Sequence, residues 1–187
     1  MSITFLNFKC TGCEYSETSL ITVGRFVWVH EGRMFNFFPK IGVCEDCSKI
    51  VPIESIPDHT LFQRAKALHP DVKGKISLLM EQDEVYKFAI QKEFDVLEAV
   101  LKANRKEVCL NCNGTDHNFF DLQTIRAGYK TYDTEKISLD QQHPKCGGSF
   151  TIESSGHTRI SIMPKTHYFD IKGKFLATLN GSEGHTF

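Results

Sequence analysis

Lys9-Cys10-Thr11-Gly12-Cys13-Glu14-Tyr15 and His143-Pro144-Lys145-Cys146-Gly147-Gly148 decide how this chain can fold, because each sets two metal-ligating side chains in one short turn. Between them lie two further turns of the same kind, Cys44-Glu45-Asp46-Cys47 and Cys109-Leu110-Asn111-Cys112. A C-x-x-C turn aims both sulfurs to one side, and two such turns complete the four-ligand tetrahedron of a structural zinc ion. His143 stands where the other turns have a leading thiolate, and imidazole nitrogen is an equally good zinc ligand.

The spacing repeats. Cys44 follows Cys13 by 31 positions and His143 follows Cys112 by 31, so adding 99 to the first four ligands gives the second four. Ile53-Glu54-Ser55 and Ile152-Glu153-Ser154 fall at the same offset. A repeat of this length implies an internal duplication. It assigns Cys10, Cys13, Cys44 and Cys47 to one ion, and Cys109, Cys112, His143 and Cys146 to a second. Spacing alone leaves one alternative open, in which a turn from one copy completes the site of the other. The other seven histidines, His30, His59, His69, His117, His157, His167 and His185, share no such spacing and read as ordinary surface or packed side chains.

Lys9 to Tyr15 resembles the first knuckle of the zinc-ribbon family, with its rubredoxin-like turns, and His143 to Gly148 resembles the second. Gly147 matches the glycine that commonly follows the second ligand, whereas Glu14, Ser48 and Asn113 depart from it. The resemblance covers roughly residues 5 to 55 and 104 to 154. It implies two ribbon β-hairpin units, within 1–57 and 107–187; helix formers over 58–106 and strand-like runs after Cys146 complete an α+β chain with a helical connector and a C-terminal β-hairpin. It implies no particular activity, since ribbons serve many functions.

Three other chemistries compete for the cysteines. A thioredoxin-like C-x-x-C needs a βαβ setting and a single reactive pair. Ligand softness alone does not separate a rubredoxin-like iron from zinc at an all-cysteine set, although His143 makes the second set unsuitable for that electron-carrying role. A catalytic zinc needs an open coordination position that four protein ligands do not leave. His143→Cys should retain its metal, because it restores the ligand of the first copy.

Composition sets the wider frame. Hydrophobic and charged fractions of 41% and 24% are those of a globular chain. No stretch approaches the roughly 20 apolar residues of a membrane helix. Met1 to Phe8 has no basic region, apolar run or small-residue cleavage site, so the expected location is cytoplasmic, where thiols stay reduced and hold metal rather than disulfides. The formal charge is −1, and ionising seven thiols around two Zn²⁺ makes it more negative, a poor basis for gripping phosphate.

Arg25-Phe-Val-Trp-Val-His30 and Arg33-Met-Phe-Asn-Phe-Phe38 flank Glu31-Gly32, a hairpin signal. A two-residue loop sets Phe26, Trp28, His30, Arg33, Phe35 and Phe37 on one face. That face is the candidate partner-binding surface, with burial against the following helices as its alternative. In the second copy, Ile125 to Lys130 lacks this aromatic density. Asp58 caps a first helix that His69-Pro70 should interrupt. A second helix is expected over Asp83 to Asn104, its stripe of Tyr86, Ile90, Phe94, Leu97 and Leu101 widened by Val85, Phe88, Ala89, Val96 and Val100. So broad a stripe suits burial within the chain or a homo-oligomer interface. Strand-like runs follow at Phe150–Ile152, Arg159–Ile162, His167–Ile171 and Lys174–Leu179, with a mobile tail expected over Asn180–Phe187.

The phosphate-loop, dinucleotide, nucleophile-elbow and HExxH motifs are absent. The expectation is therefore a non-enzymatic protein with two structural Zn²⁺ ions that recognises another macromolecule, most readily a protein. Nucleic acid is the alternative, through the aromatic hairpin and Arg126, Lys130 and Lys136, and an electron carrier is a third. No membrane partner is expected.

Overall fold

The computed structural model describes residues 2–3, 5–72, 93–121, 136–155, 158–159 and 165–180. In chain order the strands are β1 (Ser2–Ile3), β2 (Leu6–Cys10), β3 (Ser16–Thr18), β4 (Arg25–His30), β5 (Arg33–Phe37), β6 (Lys40–Cys44) and β7 (Lys49–Ile53), followed by helices α1 (His59–Val72) and α2 (Phe94–Lys102). Then come β8 (His117–Phe119), β9 (Ile137–Gln142), β10 (Ser149–Ser154), β11 (Thr158–Arg159), β12 (Lys165–Asp170) and β13 (Phe175–Asn180). Strands and helices together make a mixed α+β fold. No described helix is long and apolar enough to cross a membrane.

The β4–β5 hairpin turns on Glu31 (φ 50°) and Gly32 (φ 73°), the two left-handed residues of a tight hairpin loop. That loop fixes the register Phe26↔Phe37, Trp28↔Phe35 and His30↔Arg33. Alternation then puts four large rings on one face, and the face is buried. Phe26, Trp28, Phe35 and Phe37 are between 0% and 4% exposed, in one cluster with Phe62 and Ala65 of α1, Phe94, Leu97 and Val100 of α2, and Phe169 of β12. Trp28 stacks on Phe37 at 4.3 Å, and Phe94 meets the edge of Phe35 at 6.0 Å. The candidate partner-binding surface is thus corrected, since four of its six residues form the main core and only His30 and Arg33, at the hairpin tip, reach solvent. Arg33 is itself ion-paired with Asp95 of α2. The reason is area: each ring hides 150–250 Å² or so from water, and the apolar faces of the helices need a partner. Phe35→Ala is expected to cost about 3–5 kcal/mol of stability, read from the midpoint of a denaturant titration.

Helix α1 starts where Asp58 Oδ1 accepts the Leu61 N–H at 2.6 Å. It continues through Pro70 to Val72, contrary to the expected interruption. Pro70 has no N–H to give to the carbonyl of Lys66, so the helix carries it at the cost of that backbone hydrogen bond. In α2 the residues Phe94, Val96, Leu97 and Val100 are buried within the chain. The expected start of this helix and the stripe residues Val85, Tyr86, Phe88, Ala89 and Ile90 lie outside the described residues, as do Ile125 to Lys130 and the tail after Asn180.

Two sheets draw on both sides of the helical connector. One runs β3-β2-β10-β9, with β2 antiparallel to β10. The other runs β7-β6-β8, and Ile53 at the end of β7 bridges to Cys109. A third, β13-β12-β4-β5, sets β12 parallel to β4. The intervals 1–57 and 107–187 therefore do not each close on themselves, because strands from one complete sheets of the other.

Candidate metal centre

The four turns are built alike. In the Cys44–Cys47 turn the chain reverses so that Val43 pairs with Ile50, and in the His143–Cys146 turn Gln142 pairs with Ser149, the same register 99 residues on. Ser48 (φ 52°) and Gly147 (φ 71°) take the matching left-handed position. The first knuckles agree as well: the Cys10 N–H donates to the Tyr15 carbonyl at 3.0 Å, and the Cys109 N–H donates to the Gly114 carbonyl at 2.8 Å. At Gly148 a Cβ would stand 2.5 Å from the Gly12 nitrogen and 2.9 Å from Cys10 Sγ, so only glycine lets these two knuckles close on each other.

That closeness shows which turns share a site. Cys10, Cys13, His143 and Cys146 form one group and Cys44, Cys47, Cys109 and Cys112 the other, each with its ligand atoms within 4.8 Å of one another. The assignment of ligands within each copy is overturned: all eight residues are gathered, but the first knuckle of each half meets the second knuckle of the other. Strand pairing is the cause. Cys10 pairs with Phe150, and Ile53 bridges to Cys109, with Glu54 N–H donating to the Val108 carbonyl at 2.9 Å. Both pairings use the same turns at the same spacing, so spacing carries no signal that separates them.

The donor sets fit an ion. In the outer group Cys10 Sγ is 3.4 Å from Cys146 Sγ, and His143 Nδ1 is 3.2 Å from Cys13 Sγ and 3.3 Å from Cys146 Sγ. In the inner group Cys44 Sγ is 3.6 Å from Cys112 Sγ and Cys47 Sγ is 4.0 Å from Cys109 Sγ. Sulfurs about 2.3 Å from a central zinc stand about 3.8 Å apart along a tetrahedron edge. The seven cysteines form no disulfide. Cys10, Cys44, Cys109 and His143 are buried, while Cys13, Cys112 and Cys146 reach solvent.

The two groups hold their protons differently. Burial pushes the Cys44 thiol up to about 11, and burial pushes Cys109 up further still. Burial also acts on Cys10, but hydrogen bonds from Gly12, Cys146, Cys13 and His143 outweigh it and bring that thiol down to about 7. Two buried thiols that stay protonated by themselves become thiolates when a divalent cation supplies the compensating charge.

Two residues outside the sequence-derived ligand set touch the outer group. Tyr15 stacks on His143 at 4.9 Å between ring centres, and its hydroxyl oxygen accepts the Ile50 N–H at 2.8 Å. The Ser48 carbonyl lies 3.0 Å from His143 Nε2. Tyr15 ends the first knuckle and differs from its counterpart Gly114, as His143 differs from Cys44, and these differences are the trace of the arrangement in the sequence. A cleft of about 440 Å³ beside the two groups is lined by Cys13, Tyr15, Cys47, Lys49, His143 and Cys146. No known family model matches the chain, and no curated protein or solved structure gives a significant match.

The pairing makes a stoichiometric prediction. Cys13→Ser with Cys146→Ser should remove one metal equivalent, and Cys13→Ser with Cys47→Ser should remove both. Elemental analysis after dialysis against a mild chelator reads the difference, and the reverse pattern would restore ligation within each copy.

Proposed function

We propose that the chain is a non-enzymatic, cytoplasmic zinc protein whose two metal-clasped ribbons form a rigid scaffold for recognising another protein. The observation that carries this reading is the pair of gathered four-residue sets, each with the number of donors that a closed tetrahedral zinc site takes. The donors are thiolate and imidazole, which suit zinc, and a reducing compartment keeps such thiols available. The common offset of 99, the matched knuckle registers and the matched left-handed residues support descent from a duplicated ribbon whose halves have exchanged knuckles.

A protein partner is favoured over nucleic acid for two reasons. The aromatic face that could have stacked bases is buried. The formal charge, −1 before thiols ionise, attracts no phosphate backbone. The test is elemental analysis of natively purified protein, with two zinc ions per chain and a colourless solution expected. Absence of metal overturns the reading, and a red iron-loaded preparation replaces it with electron transfer. Fluorescence polarisation against single- and double-stranded probes across salt concentrations decides the partner class, since tight, steeply salt-dependent binding would reinstate nucleic acid.

A further inference from the structure

We propose that the Cys44–Cys47 turn of the inner site positions His143 of the outer site, so that the two sites bind metal cooperatively; the inference rests on the zinc-scaffold reading above. A backbone carbonyl only accepts hydrogen bonds, so the 3.0 Å contact between the Ser48 oxygen and His143 Nε2 places the imidazole proton on Nε2. Nδ1 is then left with its lone pair aimed at Cys13 and Cys146, as a ligand must be. The group that fixes this tautomer and ring orientation belongs to the residue next to Cys47, a ligand of the other ion.

A second tie reaches the same segment. Tyr15 lies on the face of the His143 ring, and its hydroxyl is held by the Ile50 N–H, two residues beyond Ser48. Ser48 itself is in a left-handed conformation (φ 52°) that non-glycine residues adopt rarely, and closure of the Cys44–Cys47 turn around a metal holds it there. The corresponding residue in the other half is glycine, Gly147, and the counterparts of Tyr15 and His143 are Gly114 and Cys44. The device thus exists on one side only of the quasi-symmetric pair. Thermodynamic linkage makes its effect reciprocal: metal in either site raises the affinity of the other by the same factor.

The test measures outer-site Zn²⁺ affinity by competition with a chromophoric chelator, with Co²⁺ spectra used to tell a three-sulfur, one-nitrogen set from a four-sulfur set. Emptying the inner site with Cys109→Ser and Cys112→Ser, neither of which touches His143, is expected to weaken the outer site about 10- to 100-fold, the usual effect of losing a partner of a ligating histidine. In a His143→Cys background, where the ligand needs no tautomer fixed, the same change should stay within about twofold, the limit of additivity. Tyr15→Phe, in a chain with both sites intact, should weaken each site several-fold and by the same factor while the other is filled, because the tie it cuts is shared. Equal losses in the histidine and cysteine backgrounds would show general unfolding and overturn the proposal. Two equivalents bound with independent affinities would overturn it and leave the scaffold standing, and failure to bind any metal would overturn both.

Discussion

On the proposed zinc reading, a strong chelator is expected to lower the melting temperature by about 20 °C or more and to abolish the strands that flank the ligand turns. In small zinc peptides each structural ion contributes about 10 to 16 kcal/mol at neutral pH. A whole domain is stable by only about 5 to 15 kcal/mol. For a chain of this size each kcal/mol moves the midpoint by about 2 to 4 °C. The ligand turns sit at the edges of two core clusters: Cys44 and Cys109 pack with Val51 and Ile53, and Cys10 packs with Phe8 and Phe150. Trp28 is the sole tryptophan, is fully buried and donates its indole N–H to Glu54 Oε1 at 2.6 Å, so its emission should shift to the red as the metal leaves. Reloading should release protons, because the Cys44 and Cys109 thiols are protonated without a cation. An unchanged melting curve in chelator would remove metal from the account of stability.

Arg105→Met should destabilise the protein by about 3–5 kcal/mol, the cost of leaving a buried charge without its partner. Glu54 is fully buried, beside the Ile53–Cys109 bridge. Its Oε1 accepts from Trp28 and from the second guanidinium nitrogen of Arg105 at 2.6 Å, and its Oε2 accepts from the first. Arg105 also donates through Nε to the Ile171 carbonyl at 2.8 Å, which ties β12's exit to the same point. Adding Glu54→Gln to Arg105→Met should recover much of the loss, since glutamine still accepts from Trp28 and no charge remains. The counterpart carboxylate, Glu153, provides the contrast. It pairs with Lys9 at 2.6 Å where the Glu153 side chain is 26% exposed and the Lys9 side chain 51%, so Glu153→Gln should cost no more than about 1 kcal/mol. Thermal or denaturant melts of the three variants check all three statements, and equal costs at Arg105 and Glu153 would refute the difference assigned to burial.

Much of the local structure can be read from the residues. Glu31-Gly32 between alternating aromatic runs specifies a hairpin, and C-x-x-C with H-x-x-C specifies ligands, because turn geometry and ligand chemistry are encoded over a few positions. What eludes such reading is the choice between partners that are locally equivalent. The four knuckles are interchangeable in spacing, and only the pairing of β2 with β10 and the bridge from β7 to Cys109 decide which meet. The fate of the Phe26–Phe37 face was equally open, since an aromatic stripe looks the same whether helices or solvent will cover it. Glu54 illustrates a third case: a charged residue reads as surface until Arg105, distant in sequence, is seen to enclose it.

The pairing of outermost turn with outermost turn and inner with inner also gives the polypeptide the logic of nested parentheses. The pair Cys47–Cys109 opens and closes inside the pair Cys13–His143. Once the inner clasp shuts, the ends of the outer one are separated by two short spans of 31 positions each instead of the full contour between them. Loop-closure entropy then falls for the second event. Assembly accordingly has a preferred sequence from the inside outward, and a growing chain holds every donor for the first clasp as soon as Cys112 has been added, while the last must wait for Cys146.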